Sequence, residues 1–150
     1  MDDIYYLSLD PGERNTGWAG FREDGSDLGF GVIAGGLDAF TDWLEDLNPK
    51  PKEIIYEGYA VNPNISHAYS KVLTVQVIGA IKSYCRRNKI PKHEMRSVNL
   101  KVALRMVGCY SMYYDKHGKN IKHVDDRISA YAHGVWFLTK NGIRKSRLSK

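Results

Sequence analysis

The sequence predicts an α/β domain: a five-stranded mixed sheet, with an antiparallel meander of three strands plus two parallel strands, and helices on both faces. Three observations point there. Three β-rich segments crowd into the first 34 residues with short turn-prone links, as hairpins require. Helical periodicity then alternates with two short strand-like runs, the pattern of parallel crossovers. Finally, 150 residues with 43% hydrophobic and 26% charged content are values for one folded domain with a real core.

The segment "IYYLSLD" is rich in β-formers and ends on Asp10, with Pro-Gly directly after it. "NTGWAGFRE" and "DLGFGVIA" are the next two strands, joined by "EDGSD". Gly35-Gly36 breaks the strand pattern. Leu37, Phe40, Leu44 and Leu47 then recur at helical spacing, and "NPKPK" ends that helix. "EIIYE" reads as a short buried strand ending at Glu57. A long helix is predicted over 66–88, with Leu73, Val77, Ala80, Ile81 and Tyr84 on one stripe. Its second stripe of Ala68, Val72, Val75 and Gly79 is left for a partner subunit or for deeper burial. "HEMRSV" reads as a strand, "NLKVALRMVG" as a helix with Asn99 near its cap, and "CYSMYYDKHGKN" as loop. "VDDRISAYAHGVWFLTK" is the last helix, with Ile128, Ala132, Val135 and Leu138 facing inward. The domain is expected over 1–140, followed by a basic tail over 141–150.

The net charge of +5 is unevenly laid out. Residues 1–60 carry 13 acidic against 4 basic side chains, and residues 61–150 carry 4 acidic against 18 basic. That second half suits either a solvated basic surface or a face for a polyanion. On the polyanion reading, Arg105, Lys119, Lys122 and the tail cations Arg144, Lys145 and Arg147 are phosphate-contact candidates. Cys85 and Cys109 are too few and too far apart for a disulfide framework or a zinc site, and are expected to be reduced. No apolar run reaches the length of a membrane span, and "MDDIYYLSLD" lacks a basic region followed by an apolar core. A cytoplasmic protein with no membrane contact and no small-molecule cofactor is expected.

The order of elements is that of a ribonuclease H-like fold. In such a sheet the ends of the first and fourth strands lie side by side, which brings Asp10 next to Glu57. His123 and Asp126 stand i, i+3 at the start of the last helix and project from one side of its first turn. Three carboxylates and one imidazole in a cluster suit a hard divalent cation, Mg²⁺ or Mn²⁺. Two such ions are the means by which many nucleases cleave phosphodiesters. Each residue also has a plainer use. Asp10 starts a turn, Asp125 or Asp126 caps a helix, and His123 is a surface histidine.

"LSLDPGERNTGWAGF" resembles the first motif of RuvC-like Holliday-junction resolvases, "IIYEGYAV" their second and "HVDDRISAYAHG" their last. The likeness continues through "SKVLTVQVIGAI" and "VNLKVALRMVG", so it spans Ile4 to Leu138. It implies a ribonuclease H-like fold, a homodimer, dependence on two Mg²⁺ ions per site with Mn²⁺ as substitute, and paired nicking of four-way DNA junctions. Asp10, Glu57 and Asp126 take the places of three metal-binding carboxylates. His123 takes the fourth, which is Asp or His among members, with Asp125 as the alternative in register. Lys101 falls where the family has a lysine beside the scissile phosphate, the other reading being a solvated helix lysine. Tyr59 is nearest to the family's base-stacking aromatic, at a different offset from the second acid. Other branched DNA or RNA remains an alternative substrate, and a non-catalytic DNA-binding module an alternative role.

Overall fold

A computed structural model describes residues 3–59 and 68–145, with residues 68–71 described by backbone alone. Its sheet has the strand order β3-β2-β1-β4-β5. Strands β1 (Tyr6–Asp10), β2 (Asn15–Phe21) and β3 (Asp27–Ala34) form the antiparallel meander. Strand β4 (Glu53–Glu57) pairs parallel to β1, and β5 (Lys92–Met95) parallel to β4. This is the predicted mixed sheet. The register sets Leu9 against Tyr56, so the next residues, Asp10 and Glu57, leave the two strands side by side.

Alternation along the strands sorts the side chains into two cores. Leu7, Leu9, Ile54 and Tyr56 face α1 (Gly36–Glu45) and α2 (Ala68–Asn88), where Phe40, Leu44, Val77, Ile81 and Tyr84 meet them. Tyr6, Ala19, Phe21 and Ile55 face α5 (Asp126–Lys140), through Ala130, Val135 and Leu138. Ser8, Asp10, Ile55 and Glu57 share that second face by the period of two. Asp10 and Glu57 therefore emerge beneath the start of α5.

Two details seat α5 closely. The buried Ser8 hydroxyl donates to the Ala130 carbonyl at 2.7 Å, a bond worth about 1 kcal/mol net. Gly17 on β2 lies so near the first turn of α5 that a Cβ there would stand 2.0 Å from the Asp126 carbonyl oxygen. Only glycine permits that approach.

Several local expectations are corrected. Strand β5 ends at Met95, and Ser97–Asn99 winds into a 3-10 turn that runs straight into α3 (Leu100–Met106). Asn99 does stand at the N-cap of α3, though with helical backbone angles and without a side-chain capping bond. The segment expected as loop after Gly108 contains α4 (Tyr110–Tyr113) and a bridge between Tyr114 and Asn120. Tyr113 explains the extra turn: it is buried with Ala103, Leu104, Val124 and Ala132 in a third small cluster. Helix α5 buries a wider arc than its leucine-like positions indicate, because it packs on the sheet and on α3 at once; Ser129, Ala130 and His133 are buried too. On α2 the predicted inner stripe is buried at Val77, Ile81 and Tyr84 and half-buried at Leu73 and Ala80, while Val72 is 40% exposed and a Cβ on Gly79 would meet nothing within 4 Å. The two residues at which that helix was expected to start lie outside the described ones. Both cysteines are free thiols, Cys85 buried and Cys109 half-buried. Among the described residues no helix is long and apolar enough to cross a membrane.

Candidate active site

A cleft of about 530 Å³ opens where β1 and β4 end and α5 begins. Asp10, Glu57, His123 and Asp126 all line it, brought there by two strand ends, by the first residue of α5 and, for His123, by the loop ahead of that helix rather than by its first turn as expected. Asp10 follows from a strand stopped by Pro11. Glu57 follows from a strand stopped by Gly58. Asp126 is the first residue of α5, because Asp125 takes the cap: its Oδ1 accepts from the Arg127 amide at 3.0 Å and pairs with the Arg127 guanidinium at 3.3 Å. Asp125, the alternative in register, thus has its carboxylate engaged in starting the helix and is not among the lining residues.

Burial and mutual crowding act on the carboxylates, and two of them, Asp10 and Asp126, hold their protons more tightly for it. Burial pushes the Asp10 carboxyl well above the usual carboxylate range; the Glu57 charge, a hydrogen bond shared with Glu57 and the Asp126 charge push it further. Ser129 turns its buried hydroxyl toward Asp10 and offsets part of this, although no group stands in full hydrogen-bonding geometry to it. Burial also raises Asp126, where Asp125 and Glu57 add to the effect and His123 opposes it. His123 is 92% exposed at the rim, with Nε2 4.0 Å from Asp126 Oδ1.

Crowded carboxylates with raised proton affinity are the electrostatic condition a divalent cation relieves, and their oxygens suit Mg²⁺ or Mn²⁺. The fit is one of donor chemistry. Among the described residues no three His, Cys, Asp or Glu side chains are gathered closely enough to ligate an ion as they stand.

The expected DNA contacts are placed as follows. Lys101 is exposed on α3, its Nζ 4.9 Å from the centroid of the Tyr114 ring and 3.3 Å from the Gly118 carbonyl. Tyr114 itself lines the cleft, so Lys101 borders the site without lining it. Arg105 lies one turn on, 4.1 Å from the centroid of Tyr110, and Tyr110 stacks on Tyr114 at 5.0 Å. The four side chains make a cation–aromatic ladder along one wall. Lys119 and Lys122 are exposed in the loop that carries Asn120 and His123 into the cleft. Tyr59 lines the cleft two residues beyond Glu57 and is 36% exposed. Arg144 is not in a free arm: its guanidinium pairs with Asp27 and bonds to the Gly25 carbonyl at 3.1 Å and the Tyr131 hydroxyl at 3.3 Å. Its amide also caps α5 through the Leu138 carbonyl. Lys145 is exposed, and Arg147 lies outside the described residues.

Sequence reasoning missed three lining or flanking residues. Arg14 lines the cleft from the turn after Asp10, and its position four residues beyond that carboxylate was the available signal. Ser129 and His133 continue the line of Asp126 along α5 at i+3 and i+7. Polar residues at that spacing inside an otherwise apolar helix were legible as a stripe facing the site.

No family model matches the sequence, and no curated protein matches it. Two solved structures match the fold over 92% of this chain and 96% of theirs. One is T. thermophilus RuvC in complex with a Holliday junction substrate, at a TM-score of 0.63 and 15% identity. The other is a Thermus thermophilus RuvC structure, at 0.57 and 14%. What this chain shares with them is the fold, a mixed five-stranded sheet of the ribonuclease H-like, RuvC type.

Proposed function

We propose that the protein is a metal-dependent endonuclease that resolves four-way DNA junctions by paired nicks. The observation that carries this reading is the convergence of Asp10, Glu57 and Asp126 in one cleft, each on the element end that the RuvC-type fold offers to it. The T. thermophilus protein of that fold is seen with a Holliday junction substrate, which favours branched DNA over other nucleic acids.

Asp10, Glu57, Asp126 and His123 would hold two Mg²⁺ ions, or Mn²⁺ in their place. When bound, such ions supply an activated water and stabilisation of the leaving oxygen in phosphodiester hydrolysis. The remaining work belongs to the chain. Asp10 and Glu57 stand at the ends of adjacent parallel strands, so their backbones are held side by side at the cleft. Arg14 at the cleft and Lys101 beside it are placed to meet the phosphate and its developing charge. Arg105, Lys119, Lys122 and Lys145 extend the basic surface to flanking phosphates, which gives affinity rather than sequence choice. Tyr59, on the cleft wall two residues beyond Glu57, would stack on a base displaced at the junction centre.

A four-way junction offers two equivalent strands about a twofold axis, so paired nicking calls for a twofold dimer. The exposed Val72 and the open position at Gly79 on α2 mark the surface for it. The proposal is tested with purified protein on a panel of end-labelled junction, fork, flap and linear substrates in Mg²⁺. Cutting centred on the junction and lost in Asp126→Asn is the expected result. Preference for forks or flaps would move the substrate to other branched DNA, and binding without any cutting would leave a DNA-binding module.

A further inference from the structure

Helix α5 turns an unusual stripe toward the sheet. Asp126, Ser129 and His133 follow one another at i, i+3 and i+7, whereas their buried neighbours Ala130, Ala132, Val135 and Leu138 are apolar. Asp126 reaches the cleft, and Ser129 lies behind it against Asp10. His133 is deeper still: its side chain is 1% exposed, and it does not line the cleft. Neither ring nitrogen has a hydrogen-bond partner among the described residues. A buried polar group in that condition costs about 1–3 kcal/mol, and an apolar side chain of the same size would avoid the cost. One polar group stands close by. The Glu57 carboxylate has Oε2 3.6 Å from His133 Nε2, just beyond hydrogen-bonding range.

We propose that His133 is the positioning residue of Glu57: its Nε2–H donates to Glu57 Oε2 from behind the cleft and fixes the direction in which that carboxylate faces its ligand. The inference rests on the nuclease reading for the identity of that ligand, but not for the contact itself. Closing the gap needs a shift of about half an ångström, within the reach of small side-chain torsions. Burial makes the arrangement effective on the donor side: the His133 side chain is 1% exposed against 18% for Glu57, so water cannot compete for the ring nitrogen. Groups standing behind metal-binding side chains in this way orient them, and their loss typically lowers metal affinity about 10- to 100-fold. His133 touches neither DNA nor the reacting atoms. The contact therefore acts through Glu57 alone.

The test uses the full chain and four measurements, three of which need no DNA. Mn²⁺ binding is titrated by calorimetry for the parent, His133→Leu and His133→Gln. The leucine variant keeps the volume and removes the donor, and glutamine restores an N–H near the place of Nε2. Leucine should weaken Mn²⁺ binding about 10-fold or more with the melting temperature held or raised, and glutamine should recover most of the loss. Ring ¹⁵N spectra of the parent provide a readout that survives a variant that fails to fold: the proton should reside on Nε2 of His133 and exchange slowly. Parental Mn²⁺ affinity in a folded leucine variant, or a proton on Nδ1 with Nε2 bare, overturns the proposal. Junction cutting separates the two readings. If the parent binds Mn²⁺ and cuts junctions while leucine changes nothing, only the role of His133 falls; if the parent neither binds Mn²⁺ nor cuts, the metal-nuclease reading falls and takes this one with it.

Discussion

Gly17→Ala is the sharpest probe of how the site is assembled. A Cβ at this position would stand 2.0 Å from the Asp126 carbonyl oxygen, 2.3 Å from its carbon and 2.8 Å from the Arg127 nitrogen, against the 3.0 Å that such atoms require. All three are backbone atoms, so no rotamer change relieves the overlap. The first turn of α5 must retreat by about 1 Å, and Asp126 moves with it, away from Asp10 and Glu57 on the strands. A misplacement of that size costs about 100-fold in rate, and the overpacking about 1–3 kcal/mol in stability. The assay is single-turnover nicking at saturating junction DNA, paired with thermal unfolding. Gly20→Ala is the control: on the same strand, its Cβ meets only Ile4 side-chain atoms at 3.0 and 3.1 Å, which can swing aside. Gly17→Ala should therefore cut about 100-fold more slowly, and Gly20→Ala nearly as the parent does. Parental cutting and melting in Gly17→Ala would refute the close approach of α5 to β2.

Asp10→Asn should abolish cutting and leave junction affinity nearly unchanged, as read by nicking and by a binding titration, because affinity comes from phosphate contacts. The same variant should melt at a higher temperature than the parent at pH 7 in EDTA. Burial and the neighbouring acids raise the Asp10 carboxyl above its unfolded value, so its stabilising contribution is complete below that value and is lost as pH rises through the folded one. Metal-free parent protein should accordingly lose stability between acid and neutral pH more steeply than Asp10→Asn. His123→Ala should raise the Mg²⁺ needed for half-maximal cutting, and His123→Asp should restore it with less loss at mildly acidic pH, since protons compete with metal for an imidazole; equal Mg²⁺ requirements in all three remove His123 from the site. Removal of residues 145–150 should weaken junction binding and flatten its salt dependence with little change in turnover at saturation. Cutting instead before Arg144 should also lower the melting temperature, because Asp27 and Tyr131, bonded to each other, lose the Arg144 guanidinium that pairs with both.

Much of this was legible in the chain because the signals were local. Strand ends followed by Pro11 and Gly58 fixed where Asp10 and Glu57 emerge, and strong β-patterning identified all five strands. What stayed hidden depended on packing between distant segments. Arg144 reads as one more tail cation until Asp27, more than a hundred residues earlier, is brought beside it. Tyr110–Tyr113 reads as loop because its turn of helix is held by Tyr113 entering a cluster assembled from α3 and α5. His133 reads as one polar interruption in an apolar helix; its meaning comes from Glu57, which only the parallel pairing of β4 places below it.

The most direct measurement of the central claim is cutting of an end-labelled four-way junction beside a linear duplex containing the same sequences, in Mg²⁺ and in EDTA. Paired, symmetry-related nicks in the junction that require Mg²⁺ are expected, with the duplex left whole. Equal cutting of junction and duplex, or cutting that persists in EDTA, would contradict it.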